Sequence, residues 1–182
     1  MDELERLEAI IGDAAQTADR RIEARLERAL ILLHSARFPA AALDLAAVME
    51  DPHATPEQVG RAHNNRAVMF TMSGRGAEAL QDLEAVFNNP AVSRDLRSTA
   101  LNNAAHAYQD TGNLQRALEI VTMAIDDPEF PAEEKFAKRL VRARVLKEMG
   151  RIDEANADFD WLLENPDTPA EWKRSAGYFK TK

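Results

Sequence analysis

The fold of this chain can be read from residues 101–128, LNNAAHAYQDTGNLQRALEIVTMAIDDP. Two helix-forming stretches of this segment flank Gly112, and the second of them ends at Pro128. Glycine adopts a positive φ at low cost and so suits a tight turn between helices, whereas proline cannot continue a helix. The segment therefore predicts a helix hairpin: helix A, a turn at Gly112, and helix B closed by Pro128.

The same hairpin recurs with a period of 38 residues. The turn position is held by Ala36, Gly74, Gly112 and Gly150, and the closing position by Pro52, Pro90, Pro128 and Pro166. Two alanine ladders share the period, at Ala29, Ala67, Ala105 and Ala143 and at Ala41, Ala79, Ala117 and Ala155. Alanine at a fixed repeat position indicates helices that cross too closely for larger side chains. Ladders in one common register predict an array of stacked hairpins.

The register sets the limits of each unit and of each helix. We expect A helices near 18–35, 56–73, 93–111, 131–149 and 169–180, and B helices near 2–15, 39–51, 76–89, 114–127 and 152–165. Start signals such as Thr55-Pro56-Glu57 and Pro131-Ala132-Glu133 precede the A helices. One repeat domain then comprises a half unit (1–17), four full units (18–55, 56–93, 94–131 and 132–169) and a terminal half unit (170–182).

Residues 101–128 resemble a tetratricopeptide repeat (TPR). The positions that the family pattern reserves for small, aromatic, turn and closing residues hold Ala105, Tyr108, Gly112, Ala117, Ala124 and Pro128. The period here is 38 residues, longer than the family's usual 34. The resemblance implies an all-α, right-handed superhelical solenoid of about ten helices. It also implies a non-enzymatic scaffold that binds a peptide or partner segment in a concave groove lined by the A helices.

The paired asparagines Asn64-Asn65 and Asn102-Asn103 resemble the Asn-Asn-x-Ala start of helix A in a peptide-binding TPR subfamily. That resemblance implies that Asn65 and Asn103 bind the backbone of the partner, with Asn64 and Asn102 as weaker candidates. The carboxylate clamp of chaperone-binding members is not expected. Its basic positions hold Thr99, Ala137, Leu26, Val68 and Val141 here.

Charge separates by helix layer. The chain has a net charge of −8, made up of +8 in the A helices and their approaches, Lys182 included, and −16 in the remainder. We therefore hypothesise that the A-helix groove receives an acidic partner segment through arginines that supply charge and forked hydrogen bonds. The candidates are Arg28, Arg61, Arg66, Arg142 and Arg144, with His106 also facing the groove. The competing interpretation is that these arginines solvate helix faces and pair with nearby carboxylates.

Other classes of function are poorly supported by the composition. The chain has no Cys, and its four His residues form no i, i+4 pair, so no metal site or cofactor is expected. An acidic chain is not expected to bind nucleic acid. No apolar run approaches the ~20 residues of a membrane span, and no apolar signal core follows the acidic start. We expect a cytoplasmic protein.

Two alternatives to peptide binding stay open. The terminal half unit carries Trp172, Tyr178 and Phe179, which favours a structural module that forms homo-oligomers through its terminal helices. The chain could equally be an accessory regulatory subunit of an enzyme. RNA-reading helical repeats are a minor alternative, because the acidic total argues against them.

Overall fold

A computed structural model describes residues 2–128 and 132–181. Within these ranges it has ten α-helices and no β-strand. The helices are α1 (Glu3–Gly12), α2 (Ala18–His34), α3 (Phe38–Glu50), α4 (Pro56–Met72), α5 (Gly76–Phe87), α6 (Arg94–Asp110), α7 (Leu114–Asp126), α8 (Ala132–Glu148), α9 (Ile152–Glu164) and α10 (Ala170–Thr181). The all-α class and the alternation of B and A helices are confirmed, with helix ends within three residues of those predicted. The start signal at Pro131 lies outside the described residues.

The four hairpin turns are built alike. The backbone φ at the turn position is 55° at Ala36, 71° at Gly74, 77° at Gly112 and 76° at Gly150. In every turn the next residue donates its amide N–H to the carbonyl five residues earlier, with an N–O distance of 2.8 Å. This pattern is the Schellman motif, which satisfies a free carbonyl at the helix end and reverses the chain. Ala36 adopts the same turn with a side chain that disfavours it.

Close packing inside each hairpin explains the alanine ladders. All eight ladder alanines are at most 1% exposed, as expected for positions where two helices cross closely. Consecutive helices pack against each other from α1 to α5 and from α7 to α10, and successive A helices also touch: α2 contacts α4, and α8 contacts α10. The hairpin is therefore the packing element in both parts of the chain.

The chain divides into two compact units, Met1–Ala100 and Leu101–Lys182. The boundary falls within α6. The core of the first unit is formed by apolar side chains of α2, α3 and α4, such as Ile22, Leu26 and Leu45. In the second unit Phe159 and Leu162 of α9 are fully buried. The superhelical path and the single-domain extent of the array stay predictions.

Candidate functional site

A buried aspartate on helix B is held by an arginine of helix A in three of the four hairpins. Asp44, Asp82 and Asp158 lie 38 or 76 residues apart and are only 1–3% exposed. Each carboxylate accepts two hydrogen bonds from the Nε and Nη2 of one guanidinium, at 2.6–2.8 Å. The three arginines are Arg28, Arg66 and Arg142. This two-bond geometry is the strongest form of an arginine–carboxylate contact.

A second basic side chain completes each of these clusters. Arg25 Nη1 lies 3.2 Å from Asp44, His63 Nδ1 lies 2.8 Å from Asp82, and Arg139 Nη1 lies 2.8 Å from Asp158. We call each set of two basic A-helix side chains and one B-helix aspartate a clamp. The clamps explain part of the layer separation of charge, because cations of the A helices neutralise carboxylates of the B helices.

The hairpin of α6 and α7 has no clamp. The three clamp positions hold Leu101, Ala104 and Ile120 there. Ile120 is 2% exposed and Ala104 is fully buried, so apolar packing replaces the ion pair. All three positions change together, which is expected because a single unpaired charge at such a site would be strongly destabilising.

Hydrogen bonds within the clamps shift the pKa values of several of their side chains. Burial alone would raise the pKa of Asp82, but hydrogen bonds from Arg66 and His63 outweigh it and lower the pKa below its ordinary value. Hydrogen bonds to Asp44, Asp82 and Asp158 raise the pKa of Arg28, Arg66 and Arg142, respectively. Asp82, Arg28, Arg66 and Arg142 are therefore charged at neutral pH.

The clamp of the α8–α9 hairpin lies in a groove of about 900 Å³, which we call the C-terminal groove. Helices α7 and α9 form its walls and α8 forms its floor. Leu118 and Leu146 are buried in it, whereas Met123 of α7 is 67% exposed and Trp161 of α9 is 36% exposed. Arg139 stacks on Trp161 with its guanidinium carbon 4.1 Å from the ring centroid. The groove thus combines exposed apolar walls with a charged floor.

A smaller groove of about 220 Å³ lies at the equivalent place in the first unit, and we call it the N-terminal groove. Its lining residues are all three repeats away from residues of the C-terminal groove: Leu4 from Leu118, Glu8 from Thr122, Arg28 from Arg142, Leu32 from Leu146, Arg37 from Arg151, Ala40 from Glu154, and Leu43 from Ala157. Both grooves therefore arise from one feature of the repeat, namely an A helix flanked by two B helices.

Two residues at one repeat position distinguish the C-terminal groove from the rest of the array. Met123 and Trp161 occupy one repeat position, and that position holds Ala9, Ala47 and Ala85 in the earlier B helices. The helix hairpin therefore does not require a large side chain at this place. Exposed Met and Trp cost solvation free energy, and both residue types are enriched in binding interfaces.

The predicted arginines fall into three separate environments. Arg28, Arg66 and Arg142 belong to the clamps, and their donors are directed to aspartates of the B helices. Arg61 of α4 donates to both carboxylate oxygens of Glu23 on α2, at 3.0 and 2.9 Å. These four side chains thus have internal carboxylate partners. The clamp arginines Arg28 and Arg142 line the grooves that helix B borders.

Arg144 and His106 are repeat equivalents on the A helices of the second unit. Burial lowers the pKa of His106, and the charge of Arg144 lowers it further. Arg144 also lies 4.9 Å from the centroid of Phe179, beside a pocket of about 270 Å³ that Gln109, Lys147 and Glu148 complete. These two predicted residues are therefore close enough to interact.

The asparagines differ in accessibility. Asn64 is 8% exposed and occupies the repeat position of the buried Leu26 and Leu140. Asn102 shares that position, and its Oδ1 is buried without a hydrogen-bond donor in the described part of the chain. Asn65 and Asn103 lie one residue further on and are half-buried. Asn65 is thus more accessible than Asn64, whereas Asn102 and Asn103 are both half-buried.

Sequence reasoning missed the clamp aspartates and the exposed Met123 and Trp161. The signal for the aspartates was their own 38-residue ladder, interrupted at Ile120 where Leu101 and Ala104 interrupt the cation ladders. The signal for Met123 and Trp161 was a departure from alanine at one position late in the array. Both signals can be interpreted only when the angular position of each residue around its helix is known.

Comparison with protein-family models, curated proteins and solved structures finds no match to this chain. Among the described residues, no helix has the length and apolar character needed to cross a lipid bilayer. Within residues 2–128 and 132–181, no group of three or more His, Asp or Glu side chains is arranged to hold a metal ion.

Proposed function

We propose that this chain is a non-enzymatic protein-interaction module that binds a polypeptide segment in the C-terminal groove. The observation that carries the proposal is the exposure of Met123 and Trp161 on facing walls of that groove, where earlier repeats have alanine. A segment that covers these side chains would remove apolar surface from water at little conformational cost, because the surrounding helices are already packed.

The wider assignment is part of the same proposal. We propose a TPR-type solenoid, supported by the 38-residue period and by the four turns of one geometry. The proposal includes a cytoplasmic location, where such a module would meet its protein partner. The role is that of a scaffold, in which the partner supplies the chemistry.

Two other surfaces support alternatives. The pocket beside Arg144 and Lys147 is a second candidate site and suits the acidic partner predicted for the A helices. Tyr178 of α10 is 54% exposed, which favours self-association through the terminal helices. The first alternative predicts salt-sensitive binding of an acidic peptide that Arg144→Ala abolishes. The second predicts a molar mass above that of one chain, which Tyr178→Ser restores to the monomer value.

The test of the main proposal is a peptide selection against the full chain, followed by binding measurements. Replacement of Trp172 by Phe leaves Trp161 as the single tryptophan, so its fluorescence reports occupancy of the groove. Trp161→Ala, which removes this reporter and is therefore measured by titration calorimetry, is expected to weaken selected peptides at least tenfold, since a buried Trp anchor contributes about 2 kcal/mol or more. Ala157→Leu adds a larger side chain to the groove lining at the position where Leu43 is tolerated in the N-terminal groove, so it should obstruct binding and preserve the fold.

The matched control is Leu43→Ala, which changes the N-terminal groove alone. It should leave the affinity of the selected peptides unchanged. Peptides that bind Ala157→Leu as tightly as the parent chain would show that the C-terminal groove is not the site. A selection that yields no binder would argue against the proposed class of function.

A further inference from the structure

The two ends of the C-terminal groove differ in charge. At one end Arg116 pairs with Glu119 at 3.2 Å, and Arg151 pairs with Glu154 at 2.7 Å, so that end is neutral. At the other end Asp126 is exposed and has no ion-pair partner among the described residues. Asp126 lines the groove, and it adds to the rise in the pKa of Arg142 that hydrogen bonds to Asp158 mainly cause.

Helix direction adds to the negative charge at the Asp126 end. Consecutive helices of a hairpin array run in opposite directions, so α7 and α9 run the same way and end on the same side of the groove. Neither helix has a basic residue in its last turn, while α7 ends with Asp126 and α9 ends with the exposed Glu164. The partial negative charge of both helix C-termini favours a cation there.

The middle of the groove offers apolar contact without surplus negative charge. Asp158 is the carboxylate of the clamp and is shared between Arg139 and Arg142. Met123 and Trp161 lie above it on the two walls. An occupant therefore meets an apolar centre and one acidic end.

We infer that the segment bound in the C-terminal groove presents an apolar face to Met123 and Trp161 and a Lys or Arg side chain to Asp126. The inference rests on the proposed function and names the chemistry of the guest for that site. It differs from the acidic guest expected for the A-helix surface, because the walls of this groove come from the acidic B helices.

Three synthetic peptides of about 15 residues test the inference. They share one helical face of Leu and Phe and carry Lys, Gln or Glu at both ends. Binding is measured by the fluorescence of Trp161 in the full chain with Trp172→Phe. We expect the Lys peptide to bind about fivefold more tightly than the Gln peptide, which is the upper range for an exposed ion pair. The Glu peptide should bind more weakly than the Gln peptide.

Charge reversal at Asp126 provides the decisive arm. Asp126→Lys should invert the order, so that the Glu peptide binds most tightly. The matched control is Asp153→Lys, which makes the same charge change on an exposed residue of α9 that does not line the groove. It should leave the order of the three peptides unchanged.

The outcomes separate this inference from the proposed function. An order that Asp126→Lys leaves unchanged, or changes no more than Asp153→Lys does, overturns the inference. In that case the proposed function still stands if the Gln peptide binds and Ala157→Leu blocks it. If none of the three peptides binds, the inference fails, and the proposed function then fails as well only if the peptide selection yields no binder.

Discussion

The N-terminal and C-terminal grooves share a floor but differ at their walls. Both have an arginine–aspartate clamp, with Arg28 on Asp44 in one and Arg142 on Asp158 in the other. Leu43 lines the N-terminal groove and is 74% exposed, whereas the smaller Ala157 holds the equivalent position in the C-terminal groove. Positions that repeat in both grooves therefore report on the fold, and positions that differ report on what each groove can bind.

The first way to test this division is to remove the clamp aspartate from each end of the array. Asp158→Ala and Asp44→Ala should both lower the free energy of unfolding by about 3 kcal/mol, because each leaves two cations without their buried carboxylate. That is the lower end of the range for a buried pair, since the side chains of Arg139 and Arg142 remain 23% and 19% exposed. Urea denaturation measures the change.

A matched control is Asp153→Ala on the exposed face of α9, which should lower stability by less than about 1 kcal/mol, because it removes only a carboxylate that favours the helix N-terminus. If Asp158→Ala proved as mild as this control, the clamp would contribute nothing to the fold. A loss at Asp158 but not at Asp44 would break the equivalence of the two grooves.

The second test concerns the clamp in which His63 replaces the outer arginine. Asp82→Asn should cost about 2 kcal/mol at pH 7, the value of hydrogen bonds to a charged group. Because the folded-state pKa of Asp82 is lowered, its contribution is fully present above the unfolded pKa of about 3.9 and is lost as pH falls through the folded pKa. The stability difference between parent and variant should therefore shrink below about pH 4. A difference that is constant from pH 7 to pH 3 would contradict the assignment.

The third test converts the last clamp into the apolar set found in the hairpin of α6 and α7. The triple variant Arg139→Leu, Arg142→Ala, Asp158→Ile reproduces Leu101, Ala104 and Ile120. We expect stability to stay level or to rise by about 1 kcal/mol, because an apolar set replaces a buried ion cluster without leaving a free charge. Comparing the denaturation of this variant with that of Asp158→Ala separates two effects: the loss of the whole ion cluster, and the cost of leaving Arg139 and Arg142 without their carboxylate. A loss as large as that of Asp158→Ala would show that the two hairpins pack differently.

The sequence predicted the helices well and the groove poorly, for a physical reason. Turn residues such as Gly74 and Gly150 determine where helices end, and their chemistry is local. The partner of Arg142 depends instead on which face of helix A meets helix B, which a count of charges by layer does not contain. Asp158 could have been found as a ladder member, but the size of the groove depends on how Ala157 and Trp161 are spaced in three dimensions.

The smallest expected change in stability concerns the hairpin turns at Ala36 and Gly150. Ala36 has a φ of 55° where Gly150 has 76°, and a side chain in this region strains the backbone. Ala36→Gly should therefore raise the free energy of unfolding by about 0.5–1 kcal/mol, and Gly150→Ala should lower it by a similar amount. A Cβ at position 150 would meet no atom within 4 Å, so the loss in that variant reports backbone strain and not a clash. Thermal denaturation of the two variants checks the pair, and changes of the same sign would contradict the shared turn geometry.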